Sequence, residues 1–199
     1  MYIPANFQLT DQAEAVAFMQ RYSFATLVSV DQQRPVASHL PFSVRADDSG
    51  VRLTSHLARA NPQWKSWAGQ DVLVIFTEPH AYISPTLYEK RESVPTWDYI
   101  AVHAYGRVRL LDSEADTARA LEQLIATYEP SYQAQWESLP ETFKTSMMRG
   151  IVAFEVEVTA LQGQQKLSQN KSAAERTAIA AHLANGPDSA ARELAPYIQ

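Results

Sequence analysis

The stretch Thr96–Leu111, "TWDYIAVHAYGRVRLL", holds the clearest alternation in the chain and decides the reading of the fold. Ile100, Val102, Ala104, Val108 and Leu110 share one face, while Arg107 and Arg109 point the other way. That period of two makes it a long β-strand. Downstream, "EADTARALEQLIATYE" (114–129) reads as the longest helix, capped by Ser113, boxed by Asp116 and stopped by Pro130. "PETFKTSMMRG" (140–150) is a short helix between Pro and Gly. "IVAFEVEVTALQG" (151–163) is a second long strand with Val152, Phe154, Val156 and Val158 inward and Glu155 and Glu157 outward. If the two long strands are antiparallel neighbours, the arginines and glutamates can pair across the ladder. Such exposed pairs contribute only about 0.2–1 kcal/mol each, so they indicate pairing more than stability.

Upstream, "KRESVP" (90–95) is a surface loop and "HAYISPTLY" (80–88) a strand ending at Pro85. "DVLVIFT" (71–77) is an unbroken apolar run, as in a strand covered on both faces. "ARANPQWKSW" (58–67) is a short helix or an irregular segment. "VRLTSHL" (51–57) is a strand with Val51, Leu53 and Leu57 on one face, entered through the turn "ADDSG". "PVASHLPFSVR" (35–45) reads as one strand, with Val36, Leu40, Phe42 and Val44 opposite His39, Ser43 and Arg45. "ATLVSVD" (25–31) is another strand. "DQAEAVAFMQRY" (11–22) is a first helix with Asp11 and Glu14 at capping-box spacing. Strands outnumber what a βαβ chain gives, and several follow one another through short turns. The expected class is therefore mainly β with flanking helices (α+β), a mostly antiparallel sheet closed into a barrel.

The 199 residues, 46% hydrophobic, suit one medium domain or a domain with a small appendage. A net charge of −5 and a pI near 5.5 oppose a broad electrostatic grip on nucleic acid, though not a local anion site. The chain has no cysteine, which excludes disulfides, thiolate catalysis and cysteine-based zinc sites. "MYIPANFQLTD" lacks the basic-then-apolar pattern of a secretory signal, and no apolar window is long enough to span a membrane. The expectation is a cytoplasmic protein without membrane partners.

Two segments carry polar chemistry. In "KLSQNKSAAE" (166–175), Ser172 and Glu175 have capping-box spacing, so a helix starts near Ala173. Its free N–H groups, Lys166 and Lys171, and the donors of Ser168, Gln169 and Asn170 together suit a phosphate or a polyol chain. They equally suit a solvated strand-to-helix connection. In "LTSHLARANPQW" (53–64), Thr54, Ser55 and His56 end a strand and Arg59 follows within one turn. Two hydroxyls, an imidazole and a guanidinium fork can converge on one phosphate; they can also finish the strand and cap the next helix. Trp64, Trp67, Tyr82, Tyr88, Trp97, Tyr99 and Tyr105 cluster mid-chain, where packing is the commoner use and stacking on a planar ligand the rarer one. His39, His56, His80 and His103 fall in or beside strands without metal-ligand spacing, so no metal site is assigned. No nucleophile elbow, P-loop, GxGxxG or HExxH occurs, and no catalytic residue is assigned.

The blocks "MYIPANF", "LARANPQW", "VLVIFTEPHAYISPTLY", "VPTWDYIAVHAYG" and "GQQKLSQNKSAAER" resemble those of the PaiB-like FMN-binding negative transcriptional regulators, within the flavin-binding split-barrel superfamily. Glu78 of "TEPH" stands where that family has glycine. The resemblance runs from Met1 to about Leu183. It implies a six-stranded antiparallel split β-barrel over residues 1–185 with helical additions, a C-terminal tail over 186–199, a homodimer, and FMN as cofactor. By position it implies that backbone groups around Ser38, His39 and Leu40 meet the polar edge of the isoalloxazine. Thr54, Ser55, His56 and Arg59 match the phosphate-binding segment, and Lys166, Ser168, Gln169 and Asn170 complete the cofactor site, from either subunit. His39, His103 and Tyr82 are candidates for a catalytic acid or base only if they border the ring face. The functions implied are an FMN-dependent oxidoreductase or a negative transcriptional regulator; relatives of the barrel that handle haem supply the alternative. The family name admits direct DNA binding, which the charge supports weakly.

Overall fold

The computed structural model describes residues 1–198. In chain order the elements are β1 (Gln8–Leu9), α1 (Gln12–Arg21), β2 (Phe24–Asp31), β3 (Arg34–Pro41), β4 (Ser43–Asp47), β5 (Gly50–Ala58), β6 (Asp71–Ile83), β7 (Thr96–Leu110), α2 (Glu114–Tyr128), α3 (Gln133–Ser138), α4 (Glu141–Met148), β8 (Ile151–Lys166), α5 (Ala173–Ala184) and α6 (Ser189–Leu194). The sheet path runs β3-β2-β6-β7-β8-β5-β4, and β1 pairs off this path with β8. All pairings with a defined register are antiparallel. The mainly β class with helices added therefore holds. The six-stranded closed barrel does not: among the described residues the sheet has eight strands, and its path ends at β3 and β4 without closing.

Two local events raise the strand count. The run 35–45 is not one strand, because Phe42 leaves the ladder: its N–H donates to Ser23 O at 2.9 Å and its ring is fully buried. The dipeptide Gln8–Leu9 adds a short strand opposite Gly163 and Gln164. In the other direction, the two runs on either side of "TEPH" form the single strand β6, which includes a cis Glu78–Pro79 bond.

The described residues divide into two compact units, to which β6, β7 and β8 all contribute residues. The larger unit comprises Val16–Phe76 and His103–Leu161. Its core is aromatic: Phe42 lies 6.0 Å from Phe76 and 6.3 Å from Phe154 between ring centroids, and Trp67 lies 4.7 Å from Phe154. Gly106 belongs there, since a Cβ at that position would sit 2.3 Å from Glu157 O, so only glycine lets β7 pass β8 this closely. Arg109 pairs with Glu155 at 3.0 Å and approaches Glu157 at 3.9 Å, as the alternation predicts. Arg107 turns instead to Asp71 at 3.4 Å.

The smaller unit comprises Met1–Ala15, Thr77–Val102 and the residues from Gln162 on. Even-numbered residues of β7 point inward here: Ile100 and Val102 are buried, and so is Asp98. The helix α5 begins where its capping box predicts, with Ser172 Oγ accepting from Glu175 N and the Glu175 carboxylate accepting from Ser172 N. The segment set apart as a tail forms α6, and its Leu194 and Ile198 are buried.

Candidate functional site

In the larger unit the predicted residues lie on two strands, β3 and β5, and on the turn that follows β5. Along β5, alternation puts Ser55 on the face of Leu53 and Leu57, where its hydroxyl donates to Pro41 O at 2.6 Å. Thr54 and His56 take the opposite face. Two hydroxyls and an imidazole therefore do not converge on one ligand: the Ser55 hydroxyl is engaged inside the core. His56 Nδ1 is buried without a hydrogen-bond partner among the described residues, and burial pushes its imidazole below the ordinary pKa of 6.5. Arg59 is held as a fork: Nε donates to Arg149 O at 2.8 Å and Nη2 to Ile151 O at 2.7 Å. These bonds fix the direction of an exposed guanidinium, which is what a phosphate ligand needs.

Ser38, His39 and Leu40 lie on β3, paired with Leu27, Thr26 and Ala25 of β2. Because β3 ends the sheet path, its outer edge has no strand hydrogen-bonded to it among the described residues. His39 is exposed, with Nδ1 2.9 Å from Thr26 Oγ1. The Ser38 hydroxyl is not free: it donates to Gln63 Oε1 at 2.6 Å and accepts from Asn61 Nδ2 at 2.9 Å. The "NPQW" block has a structural role here. Asn61 caps a 3₁₀ turn (Pro62–Ser66) by accepting from Gln63 N, and this presents the buried Gln63 amide to two strands. Gln63 Nε2 lies within hydrogen-bond range of Leu27 O, Ser29 Oγ and Val36 O, at 3.3, 3.1 and 3.2 Å. The block is a brace joining β2 and β3.

In the smaller unit, "VPTWDY" and "KLSQN" fold into one structure. Ser168 Oγ donates to Asp98 Oδ2 at 2.6 Å. Lys166 Nζ donates to Thr96 Oγ1 and, at 2.7 Å, to Trp97 O. Gln169 is occupied in shaping the turn: its Oε1 accepts from Leu167 N at 2.7 Å and its Nε2 donates to Gln165 O at 2.6 Å. Ser168 adopts a φ of 58°, uncommon for a residue with a side chain, and so reaches Asp98. Lys171 Nζ sits 3.4 Å from the centroid of the Tyr88 ring, a cation–π contact.

Around this lock is a cavity of about 210 Å³ whose lining includes Tyr88, Thr96, Asp98, Lys166, Ser168 and Asn170. Asp98 is fully buried, and its Oδ1 has no hydrogen-bond partner among the described residues. The Tyr88 hydroxyl oxygen is also buried without one. Burial pushes the Asp98 carboxyl above the ordinary carboxylate range, against Ser168, Lys166 and Lys171, which pull it down. Burial likewise raises Tyr88, and the charge of Asp98 adds to it. Neither residue was among those predicted for the site. The signal for Asp98 was present: it shares its parity with Ile100, Val102 and Ala104, so a carboxylate stood on the inward face of the clearest strand. Tyr88 was visible only as one of seven clustered aromatics.

The family described as "Putative FMN-binding domain" matches residues 1–160, and the chain belongs to it. Membership assigns FMN as the cofactor. The chain is also similar to "Protease synthase and sporulation protein PAI 2" of Bacillus subtilis, 37% identical over 202 residues that span 100% of this chain and 97% of that protein. An uncharacterized protein of Emericella nidulans is 28% identical over 189 residues, 75% of each chain. Among solved structures, the flavocytochrome Anf3 from Azotobacter vinelandii aligns with a TM-score of 0.64 at 15% identity, over 82% of this chain and 72% of that one. The FAD and heme binding protein from Mycobacterium smegmatis aligns at 0.65 and 17% identity, over 87% and 79%. These last two establish a shared fold.

Proposed function

We propose that this chain binds FMN and acts as a PaiB-type regulator whose signal is the presence or redox state of its flavin. The observation that carries the reading is the family match over residues 1–160, which takes in β1 to β7 and most of β8. The residues present suit the cofactor. The open edge of β3 at Ser38, His39 and Leu40 offers backbone donors and acceptors for the polar rim of a flavin ring. The braced Arg59 offers a directed cation for a phosphate, with Thr54 and His56 on the strand before it. In the smaller unit, Lys166, Ser168 and Asn170 line a polar cavity, while Gln169 holds the loop that presents them. When bound, FMN supplies one- and two-electron transfer. The protein's part is to bind and orient it.

The regulatory half of the proposal rests on the full-length similarity to the Bacillus subtilis protein named for protease synthesis and sporulation. With a charge of −5, direct DNA binding by counterion release is disfavoured, so the output goes through a partner protein or a metabolite. A homodimer is part of the same reading: Trp97 and Tyr82, about half exposed with ring centroids 5.9 Å apart, form an aromatic face that a second copy would cover. Cytoplasmic residence fits the cysteine-free composition. No described helix is long and apolar enough to cross a membrane.

The test is titration of the purified chain with FMN. The expected result is a shifted visible spectrum and quenched flavin fluorescence with micromolar affinity. No binding at that level removes the flavin from the proposal. A gel shift across several salt concentrations then separates direct DNA contact, read as specific binding at physiological salt, from the indirect route. Sedimentation of the wild type beside Trp97→Glu reads the dimer: a monomeric wild type ends that part of the reading.

A further inference from the structure

We infer that Glu78, His80, Tyr82 and Trp97 form a cation-binding strip, and that in the homodimer this strip receives the guanidinium of Arg91 from the second copy. The inference rests on the proposed dimer and names the contact that closes it.

The strip follows from the period of two in β6. Glu78, His80 and Tyr82 are two residues apart and share one face, while Pro79 and Ala81 between them are buried. Trp97 enters from β7, the neighbouring strand of the sheet. His80 Nδ1 lies 3.5 Å from Glu78 Oε2, and the His80 ring centroid lies 6.0 Å from that of Trp97. The Tyr82 ring stands at 71° to Trp97, with centroids 5.9 Å apart. One carboxylate and three rings thus form a continuous strip. Each residue is about half exposed, so a ligand can reach it. The faces of indole and phenol rings are electronegative, and the carboxylate adds a full negative charge. Such a surface selects a cation. A guanidinium suits it best, because it stacks flat on an indole and its fork donates two hydrogen bonds to a carboxylate. Glu78 stands where the resembling family has glycine, so the carboxylate is this chain's own addition.

A two-fold dimer uses one patch twice, so that patch must carry both the acceptor and the cation. In the smaller unit most cations are committed. Lys166 is engaged by Trp97 O, Lys171 by the Tyr88 ring and Arg192 by Gly186 O and Pro187 O, and Arg176 Nε is buried. Lys90 and Arg91 are exposed, and neither side chain has a partner among the described residues. They sit on the loop that leads through the exposed Val94 into Trp97. Of the two, Arg91 has the planar fork that the strip fits.

The experiment measures the dimer dissociation constant by sedimentation for the full chain, Arg91→Glu, Glu78→Arg and the variant carrying both changes. Each single reversal sets like charges against each other twice per dimer and should raise the constant by about tenfold or more. The double variant restores opposite charges and should return to within about threefold of the wild type. N-acetylarginine amide at millimolar concentration should dissociate the wild-type dimer, and its neutral isostere N-acetylcitrulline amide should not. Thermal melts check folding; Arg91→Gln, which only removes the charge, reads the same contact if a reversal proves unstable, with an expected loss of about fivefold. A wild type that sediments as a monomer overturns the proposed dimer and this contact with it. A dimer that both single variants leave within about twofold overturns the contact alone, and so does a double variant no tighter than the singles. Binding of N-acetylarginine amide without any change in sedimentation overturns it too, since the strip would then serve a cation from another partner.

Discussion

The polar groups around Gln63 and those around Asp98 are built from the same kinds of side chain and are treated in opposite ways. Gln63 is buried with its carbonyl oxygen accepting from Ser38 and its amide nitrogen facing three acceptors on β2 and β3. Asp98 is buried with one oxygen bonded to Ser168 and the other to nothing among the described residues. A fully satisfied buried network adds rigidity; a half-satisfied one is a liability of about 1–3 kcal/mol per orphaned group. The first cluster is therefore architecture. The second is kept at the expense of stability, which is the pattern of a functional site.

The strongest way to break this contrast is Gln63→Leu. It removes the brace and strands the Ser38 hydroxyl and several carbonyls near it. The expected loss is about 3 kcal/mol of folding stability, read from urea denaturation. A loss below about 1 kcal/mol would mean the brace is incidental and the contrast with Asp98 is wrong.

Next in size is Arg59→Ala. The residue is exposed, and its own hydrogen bonds go to carbonyls that water can reach, so stability should change little. If the fork meets the phosphate, FMN affinity should fall about tenfold while riboflavin affinity holds. Equal losses for the two ligands would show that Arg59 positions the β5 end of the structure and does not touch a phosphate.

Much of the architecture was legible because it rests on periodicity. The alternation in β7 and β8, the Ser113 and Ser172 caps and the Arg109–Glu155 pair all follow from spacing alone. The strand count was not legible, because Phe42 is apolar and in phase with its neighbours; nothing local says that its N–H turns to Ser23. The site was half legible. Spacing identified Ser168 and Lys166 as polar residues held in one turn, but that they clasp Asp98 and Thr96 is a contact across about seventy positions. Composition also overstated Ser55, whose hydroxyl alternation places in the core. Hydroxyl-rich segments advertise donors without saying which are already engaged.

A smaller effect sharpens the reading of Asp98 itself. Burial raises its carboxyl above the ordinary value of 3.8. An acid with a raised folded-state pKa binds protons more readily folded than unfolded, so it destabilises the fold as pH rises from 3.8 through the folded value. Asp98→Asn keeps an acceptor for Ser168 and removes this penalty. The variant should match or exceed the wild type in stability at pH 7, with the advantage disappearing in acid. A variant less stable at pH 7 would make the carboxylate structural and return Asp98 to the same class as Gln63.

The smallest expected effect concerns His56, which lies in the same unit as Gln63 yet shares a feature with Asp98, a buried atom, Nδ1, without a partner among the described residues. Burial lowers its pKa from 6.5, so the folded state keeps the imidazole neutral at a pH where the unfolded chain begins to protonate. Stability from this group is therefore complete above 6.5 and drains away as pH falls from there toward the folded value. His103 is lowered by burial in the same direction, so the wild type should lose stability over this window through both rings. His56→Asn removes one of the two contributions. Urea midpoints measured from pH 8 to pH 5 should therefore fall less steeply for the variant than for the wild type. If the two curves stay parallel, the imidazole protonates in the folded protein as readily as in the unfolded chain, and its buried nitrogen has found a partner that changes with pH.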